Sequence, residues 1–361
     1  MPPVSRSDAP LAPLGLPLLG VVVVTFNSAD VILDCLESLL AQHDVALRIV
    51  VVDNASQDGT LDLLHAWAAG DQAYQAPGDI PFDLTASPKP LTLHRSVPQT
   101  ATQGHTITVI DTGVNGGFAA GVNHGLKALA QEAGIDRFWV LNPDGVVPPG
   151  TAAEFARFGA PEGGFALMGG RVLYLDPPDQ IQIDGGTINR RTGVTGNINL
   201  GASHPAAPVP DPARIDFITG ASVVASRAFY EAAGPMPEDY FLYYEEVDWA
   251  ARRGALPLLY CPGAILYHRA GTAIGSPTLG RPASPFSLYF KHRARLRFMR
   301  RYFPASVPLA LAYSLAKSAQ LLIKGYPLEA RTLLGASFGR PPSPQIRARL
   351  SDAAAKLAFG D

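Results

Sequence analysis

A run of β-branched and apolar residues, "GVVVVTF" from Gly20, stops at the polar "NSAD". The residues that follow put Ile32, Leu33, Leu36, Leu39 and Leu40 on one helical stripe. "LRIVVVDNAS" repeats the first pattern and "DGTLDLLHAWAAG" the second, with Asp58 the expected N-cap. An apolar run without alternation suits a strand buried on both faces. Strand, helix, strand, helix therefore predicts a doubly wound α/β sheet of mostly parallel strands. The rhythm returns with the strand "HTITVIDTG", the Gly-rich turn and helix "VNGGFAAGVNHGLKALAQEAG", and the strand "DRFWVLNPDG". "GFALMGGRVLYLD" reads as another strand, and "DFITGASVVASRAFYEAAG" as a strand and a helix.

Three stretches break this rhythm. Residues 71–105 are rich in Pro, Thr, Gln and Ser without period and are expected to be a surface insertion. Residues 177–212 read as loop. From about residue 285 the spacing is helical, with Tyr289, His292, Leu296, Met299 and Phe303 on one face, and a second helical stretch follows over 309–324. The expected organisation is a flexible tail over 1–17, an α/β domain over 18–284 and a basic helical region over 285–361. The opening "MPPVSRSDAPLAPLGLPLLG" mimics a signal peptide. Prolines interrupt its apolar part, however, and no small-residue cleavage site precedes "VVVVTF", so a tail is the better reading. No uninterrupted apolar run reaches the ~18 residues of a spanning helix.

Hydrophobic residues make up 47% of the chain and charged residues 17%, enough for a sizeable core and against disorder. Cys35 and Cys261 form neither a disulfide framework nor a zinc set, as expected of small buried hydrophobes in a reducing compartment. The net charge of −2 hides an asymmetry. Residues 281–350 hold 13 Lys and Arg against a single acid, Glu329. Such a stretch faces an anionic partner or solubilises a helical face.

In open α/β sheets ligands bind beyond the carboxyl ends of the strands. Polar residues collect at those ends: Thr25 and Asn27, then Asp53, Asn54 and Ser56, then Asn142 and Asp144. Each alone is a cap or turn former; together they predict a polar ligand crevice. "VVVVTFNSAD" has no glycine, which excludes a dinucleotide fingerprint, and no Walker loop is present. Asp53 is placed to accept from a base or ribose. In "NGGFAAG", from Asn115, the glycines Gly116, Gly117 and Gly121 either admit a phosphate near a helix N-terminus or serve only the turn. A diphosphate there needs neutralising, and hard divalent cations take carboxylates plus phosphate oxygens. Asp144, fixed by Pro143, stands where such a ligand belongs.

"PEDYFLYYEEVDWAARRG" gathers Glu238, Asp239, Glu245, Glu246 and Asp248 among Tyr240, Phe241, Tyr243 and Tyr244. Acids at a helix start suit the macrodipole. Beside an aromatic wall they also suit general-base work, since desolvation raises a carboxylate's pKa. His268 ends an apolar strand, as an ordinary polar residue or as a ligand.

Taken in order, "VVVVTFNSAD", "VVDNASQDGT", "NGGFAAGVNHGL", "LNPDGVV", "FITGASVVASRAFYEAAG", "YFLYYEEVDWAARRG" and "AILYHRAG" resemble glycosyltransferase family 2 of the GT-A fold, in particular its bacterial rhamnosyltransferase-like branch. The resemblance covers roughly residues 19–270 and implies a nucleotide-diphospho-sugar transferase sandwich with a C-terminal helical appendage. It implies a nucleoside diphosphate sugar donor, dTDP-rhamnose being the first guess, bound by Thr25, Asn27, Asp53, Asn54, Ser56, Asn115, Gly117, Asn142 and Asp144. "NPD" takes the family's D-x-D place, so Asp144 is the main carboxylate for Mg²⁺ or Mn²⁺, with His268 completing the metal or diphosphate site. The family's base is the second acid of a Glu-Asp pair. Here the pair is Glu245-Glu246, which makes Glu246 the candidate and leaves Glu245 and Asp248 as alternatives. Gly220, Ala221, Tyr244 and Trp249 would border the sugar and acceptor. The implied reaction is inverting transfer to a hydroxyl of a glycan or lipid-linked acceptor in cell-surface polysaccharide synthesis.

A cytoplasmic location follows, with "KHRARLRFMRRYF" fitting either a helix on the anionic inner face of the plasma membrane or a helical cap with solvated arginines. The alternatives are a non-catalytic nucleotide-sugar or glycan-binding protein of the same fold, and a nucleotidyltransferase, which would show a basic Gly-rich loop after the first strand. No nucleic-acid module is recognisable.

Overall fold

The computed structural model describes residues 15–98, 104–269 and 283–360. Most of the tail expected over 1–17 lies outside them. In chain order the first elements are β1 (Leu18–Thr25), α1 (Ile32–Leu40), β2 (Ala46–Asp53), α2 (Thr60–Ala69), β3 (Leu93–His94), β4 (Thr106–Asp111) and α3 (Phe118–Leu129). Then come β5 (Arg137–Leu141), β6 (Gly145–Val146), α4 (Thr151–Arg157), β7 (Leu167–Tyr174), β8 (Ile181–Ile183), β9 (Gly186–Ile188) and β10 (Thr195–Asn197). The rest are β11 (Ser222–Ser226), α5 (Arg227–Ala233), α6 (Glu245–Ala251), β12 (Leu259–His268), α7 (Pro285–Tyr302), α8 (Val307–Ile323), α9 (Pro327–Ser337), α10 (Pro344–Arg347) and α11 (Asp352–Phe359).

The main sheet has ten strands in the order β3-β4-β2-β1-β5-β11-β7-β12-β6, with β8 paired to β7. From β3 to β5 the pairings are all parallel; β11 runs antiparallel between β5 and β7. The unbroken apolar run of β1 is explained by the two cores it feeds. Leu19, Val21 and Val23 point into the layer that holds α1, α2 and α4, while Val22 and Val24 point into the layer that holds α3. Helix α3 lies so close to β1 that a Cβ on Gly125 would stand 2.4 Å from Val22 Cγ1, and one on Gly121 2.5 Å from Val24 Cγ1. The parallel order brings the carboxyl ends of β1, β2 and β5 to one edge.

Three expectations change in detail. Helix α2 is capped by Gly59, at φ 85°, rather than by Asp58. Asp58 is occupied instead, accepting from Thr60 Oγ1 at 2.6 Å and from the Ala29 amide at 2.9 Å, which latches the first two strand-end loops together. The 71–105 stretch contains the edge strand β3 and is pinned to the domain. Tyr74 Oη donates to Asp34 (2.9 Å), and Glu37 accepts from Lys89 Nζ and the Ser87 amide (2.8 Å each). The stretch read as loop over 177–212 holds β8 and the β9–β10 hairpin. It is organised by buried Asp184, which accepts from Arg171, Tyr260 and Asn199. Short strands with Gly at their bends leave no period to read.

Helix α7 is a packing helix. Its stripe of Tyr289, His292, Leu296 and Met299 is buried as the spacing predicts. Its arginines are engaged by protein: Arg301 with Asp248 and Asp239, Arg297 with Asp239, and Arg295 with the Ala310 carbonyl and Ser314. The basic stretch thus serves as a helical cap, one of the two readings open to it. Asp248 is the anchor. It is fully buried and accepts from Tyr240 Oη (2.7 Å), Arg252 Nε (2.8 Å), Arg301 (2.6 Å) and Tyr302 Oη (2.9 Å). Replacing it by Ala removes charge-assisted bonds whose arginine partners keep solvent access. Asp248→Ala is expected to cost roughly 2 to 3 kcal/mol in urea unfolding. An unchanged midpoint would show that α7 docks without it.

Candidate functional site

A crevice of about 300 Å³ opens at the carboxyl edge of β1, β2 and β5. One side is the β1–α1 loop with Asn27, Ser28 and Asp30, joined by Asn54 after β2. The second is the turn into α3, with Asn115, Gly117 and Phe118. The floor is Asn142-Pro143-Asp144 after β5, met by His268 at the end of β12. Phe241, Leu242 and Phe286 form an apolar wall, and Arg349 and Leu350 close the mouth.

The floor is tightly built. Asp144 Oδ1 stands 3.0 Å from His268 Nε2, and Asn142 Nδ2 stands 3.3 Å from the same nitrogen. On its other side His268 Nδ1 faces Gln182 Oε1 at 2.9 Å. Nε2 and a carboxylate oxygen of Asp144 thus face each other at 3.0 Å, a separation that either a ring proton or a bound cation bridges. Among the described residues no group of three or more His, Cys, Asp or Glu forms a protein-only metal cage.

Asn54 Nδ2 donates to the Gly117 carbonyl (2.9 Å), and Asn115 Oδ1 accepts from the Gly117 amide (2.9 Å). Gly117 is itself required. Its φ is 91°, and a Cβ there would lie 2.4 Å from the Phe241 carbonyl oxygen. That carbonyl accepts from the Phe118 amide at 3.1 Å. The loop so gripped contains Phe241, Tyr243 and Tyr244, all at positive φ (65°, 66° and 70°). Consecutive side-chain residues in that region are strained, and they persist only where packing holds them. Here Phe241 stacks on Phe290 at 5.1 Å and Tyr243 Oη bonds Ser287 Oγ at 2.8 Å.

Beyond Phe118 lies the acid pair. A Cβ on Gly220 would touch Phe118 at 3.3 Å and Glu246 Cβ at 4.0 Å, so Gly220 stands between them. The next residue, Ala221, accepts from the Asn142 amide at 3.0 Å. Glu246 retains accessible surface but is ringed by protein, as in a cleft, and burial raises its pKa while Lys291 opposes the shift. Lys291 is accessible in the same way, and burial lowers its pKa against the pull of Glu246. Glu245 is buried, its Oε2 has no hydrogen-bond partner, and burial followed by the neighbouring Glu246 pushes its pKa well up.

The structure thus brings Asn27, Asn54, Asn115, Gly117, Asn142, Asp144 and His268 to one crevice, with Gly220, Ala221 and Glu246 adjoining. Thr25, Asp53 and Ser56 lie beneath. Asp53 is fully buried and accepts from the Ser56 amide (2.9 Å) and hydroxyl (2.5 Å). Burial raises its pKa and Ser56 opposes this. Tyr244 and Trp249 are turned into the core: Tyr244 Oη donates to the Gly193 carbonyl and Trp249 Nε1 to that of Gly234. They do not border the crevice as expected, because a helix starting at Glu245 points them inward. Asp248 is consumed by its four partners and faces away, so it is not an alternative base. Arg349, Phe286, Gln182 and Lys291 were not foreseen, since each reaches the site from a distant segment without a motif.

The family model described as Glycosyl transferase family 2 matches residues 20–76. The chain is 24% identical over 301 residues to the N-acetylglucosaminyl-diphospho-decaprenol L-rhamnosyltransferase of Mycobacterium tuberculosis, covering 75% of this chain and 83% of that one. It is 26% identical over 148 residues to the low-salt glycan biosynthesis hexosyltransferase Agl10 of Haloferax volcanii, covering 40% of this chain and 46% of that one, under half the relative's length. The chain is similar to glycosyltransferase family 2, most directly over its first strands and helices. Its GT-A fold is shared with GalNAc-T7, solved with UDP, GalNAc and Mn²⁺, at a TM-score of 0.50 and 11% identity over 88% of this chain and 55% of that one. The mannosyltransferase PcManGT of Pyrobaculum calidifontis, solved with GDP-Man and Mn²⁺, aligns at a TM-score of 0.48 and 16% identity over 99% and 83%.

Burial opposes ionisation of the Glu245 carboxyl. Its folded pKa lies above the unfolded value, so the folded state holds the proton longer, and stability falls as pH rises from the ordinary glutamate range through the raised value. Glu245→Gln is therefore expected to raise the melting temperature by about 2 °C above that window. The gain should vanish below the ordinary glutamate pKa. A gain of equal size at all pH values would mean that the carboxyl is not the source.

Proposed function

We propose that the chain is an inverting, metal-dependent glycosyltransferase. It moves a hexose from a nucleoside diphosphate sugar to a hydroxyl of a glycan or lipid-linked acceptor in cell-surface polysaccharide synthesis. The observation that carries this reading is the Asp144–His268 pair on the floor of the crevice, with Gly220 standing between the crevice residue Phe118 and Glu246. The Mycobacterium relative, named a rhamnosyltransferase acting on a decaprenol diphosphate sugar, favours dTDP-L-rhamnose as donor and a polyprenyl-linked acceptor at the cytoplasmic face of the membrane.

The residues fit a hard divalent cation. One carboxylate oxygen and one imidazole nitrogen face each other at 3.0 Å, and the remaining positions suit diphosphate oxygens and water. Asp144 and His268 would hold Mg²⁺ or Mn²⁺, which would neutralise charge on the departing diphosphate. Asn27, Asn54 and Asn115 offer neutral donors and acceptors to the nucleotide. Asp53 and Ser56 shape that loop from beneath. Arg349 is stacked on Phe286 at 4.7 Å and supplies positive charge at the mouth.

Glu246 takes the proton from the acceptor hydroxyl as that oxygen bonds the anomeric carbon. The glycosidic bond to the diphosphate breaks on the opposite face, so the configuration inverts in one displacement. A raised pKa suits the task, because a stronger base accepts the proton more readily. Lys291 opposes the rise at Glu246. Residues 18–284 would form the catalytic unit and 285–361 its helical support.

Calorimetric titration of dTDP, UDP and GDP, with and without Mn²⁺, tests the donor half. One nucleotide is expected to bind with metal, weakened about 100-fold by Asp144→Ala. Binding of none would overturn the reading. For the reaction half, Glu246→Gln is expected to lower kcat by about 10² to 10⁴ with nucleotide affinity unchanged. In the wild type kcat/KM should fall as pH drops through the raised pKa of Glu246, above the ordinary glutamate range. A flat profile, or full activity in the variant, would remove Glu246 as base.

A further inference from the structure

Helix α8 is amphipathic the wrong way round for a soluble packing helix. Its buried positions are Ala310, Ser314, Ser318 and Leu321. The two serines are satisfied inside: Ser314 Oγ donates to the Ala310 carbonyl, and Ser318 Oγ donates to the Ala330 carbonyl of α9 at 2.9 Å. The opposite face carries Leu309, Leu315, Leu322 and Ile323, exposed by 53%, 51%, 55% and 87%. The small residues Ala312, Ala316 and Ala319 fill the gaps between them. At helical spacing this is one continuous stripe with Gln320 at its edge and no charge within it. Leu328 at the start of α9 extends the apolar surface.

Although interrupted by Ser306, Ser314, Lys317, Ser318 and Gln320, α8 with the turn before it, Pro304–Ile323, is long and apolar enough to cross a membrane, and it is the one such helix among the described residues. It is nevertheless held along its length by α7 and α9. Arg295 reaches Ala310 and Ser314 from α7, and Ser337 of α9 donates to Ser314 Oγ at 2.9 Å. A helix packed sideways on two others with one bare apolar face lies on a bilayer rather than through it.

We propose that this face docks on an anionic lipid surface, with α8 lying in the headgroup plane. The choice of occupant rests on charge. Lys317 flanks the stripe, Lys324 caps the helix and Arg331 is exposed on α9. From Trp249 to Leu328 the sequence contains no Asp or Glu, and Glu329 is the first acid after Asp248. An apolar stripe with a cationic border and almost no carboxylate suits phosphate-bearing headgroups over insertion of leucines. A second copy of the chain would bring the same positive border against itself. The inference deepens the lipid-linked acceptor reading but stands on α8 alone.

The test is co-sedimentation of the full chain with vesicles of phosphatidylglycerol and phosphatidylcholine in equal parts, against phosphatidylcholine alone. Binding is expected to the anionic vesicles, to weaken with added salt, and to fall about tenfold in the double variant Leu315→Ser, Ile323→Ser. Both positions are exposed, so the variant should keep its melting temperature and its nucleotide binding. No vesicle binding by the wild type, or equal binding by the variant, overturns the proposal. Concentration-dependent dimerisation that the variant abolishes, without vesicle binding, assigns the face to a second copy and overturns it too. Nucleotide titration on the same samples separates these failures from failure of the donor site.

Discussion

The site depends on one close approach, that of Gly117 to the Phe241 carbonyl. The turn into α3 and the loop into α6 meet there with no room for a side chain, and the Phe118 amide closes the contact at 3.1 Å. Everything on the crevice side is referred to this point. Gly117 is tied back to β2 through Asn54, and Phe118 lies against Gly220, whose neighbour Ala221 bonds the Asn142 amide. On the far side the same contact fixes where α6 begins. The left-handed backbone at Tyr243 and Tyr244 is the geometric consequence, and it presents Glu246 toward the crevice while sending Glu245 inward.

Charge is distributed by that geometry. Two adjacent glutamates at a helix start are ordinarily solvated and favourable with the helix dipole. Here desolvation dominates, and the pair repel each other in a place with little water. The cost is partly offset at Glu246 by Lys291, while Glu245 has no such neighbour. Asp248, one turn on, shows the contrast. With two arginines and two tyrosine hydroxyls it is a structural anion, whereas Glu246, with one lysine across a cleft, remains available for proton exchange.

The layered sheet and its polar edge were legible because local pattern and burial agree there. Runs such as "GVVVVTF" cannot be anything but two-sided strands, and their ends must meet in a parallel sheet. The Asn142–Asp144 turn and His268 were legible as residue types at strand ends. What was illegible depends on distance in sequence or on direction of a side chain. Nothing in "DWA" says that Asp248 and Trp249 face the core, and nothing near Arg349 says that it closes a crevice begun at Asn27. The helices α7 and α8 were legible, but the direction of their side chains was not, for a related reason. Positive charge drew attention to α7, but charge is compatible with burial when carboxylates and carbonyls wait inside. Nothing in the sequence of α8 says that Ser314 and Ser318 point in while Leu309, Leu315 and Leu322 point out.

Helix α7 joins these two ends of the molecule mechanically. At its start Phe286 lines the crevice, and Phe290 carries the strained Phe241. The next residue, Lys291, acts electrostatically on Glu246, and one turn on Arg295 holds α8 by Ala310 and Ser314. A displacement of α8 therefore cannot be absorbed locally. It must move Arg295, and with it the rigid helix that fixes both the aromatic wall and the lysine opposite the base. A surface that seated α8 would fix the crevice relative to that surface, so that an acceptor hydroxyl carried on a lipid would be presented at a constant height to Glu246. The stiffness of α7, eighteen residues with its stripe buried, is what makes such a constraint effective over that distance.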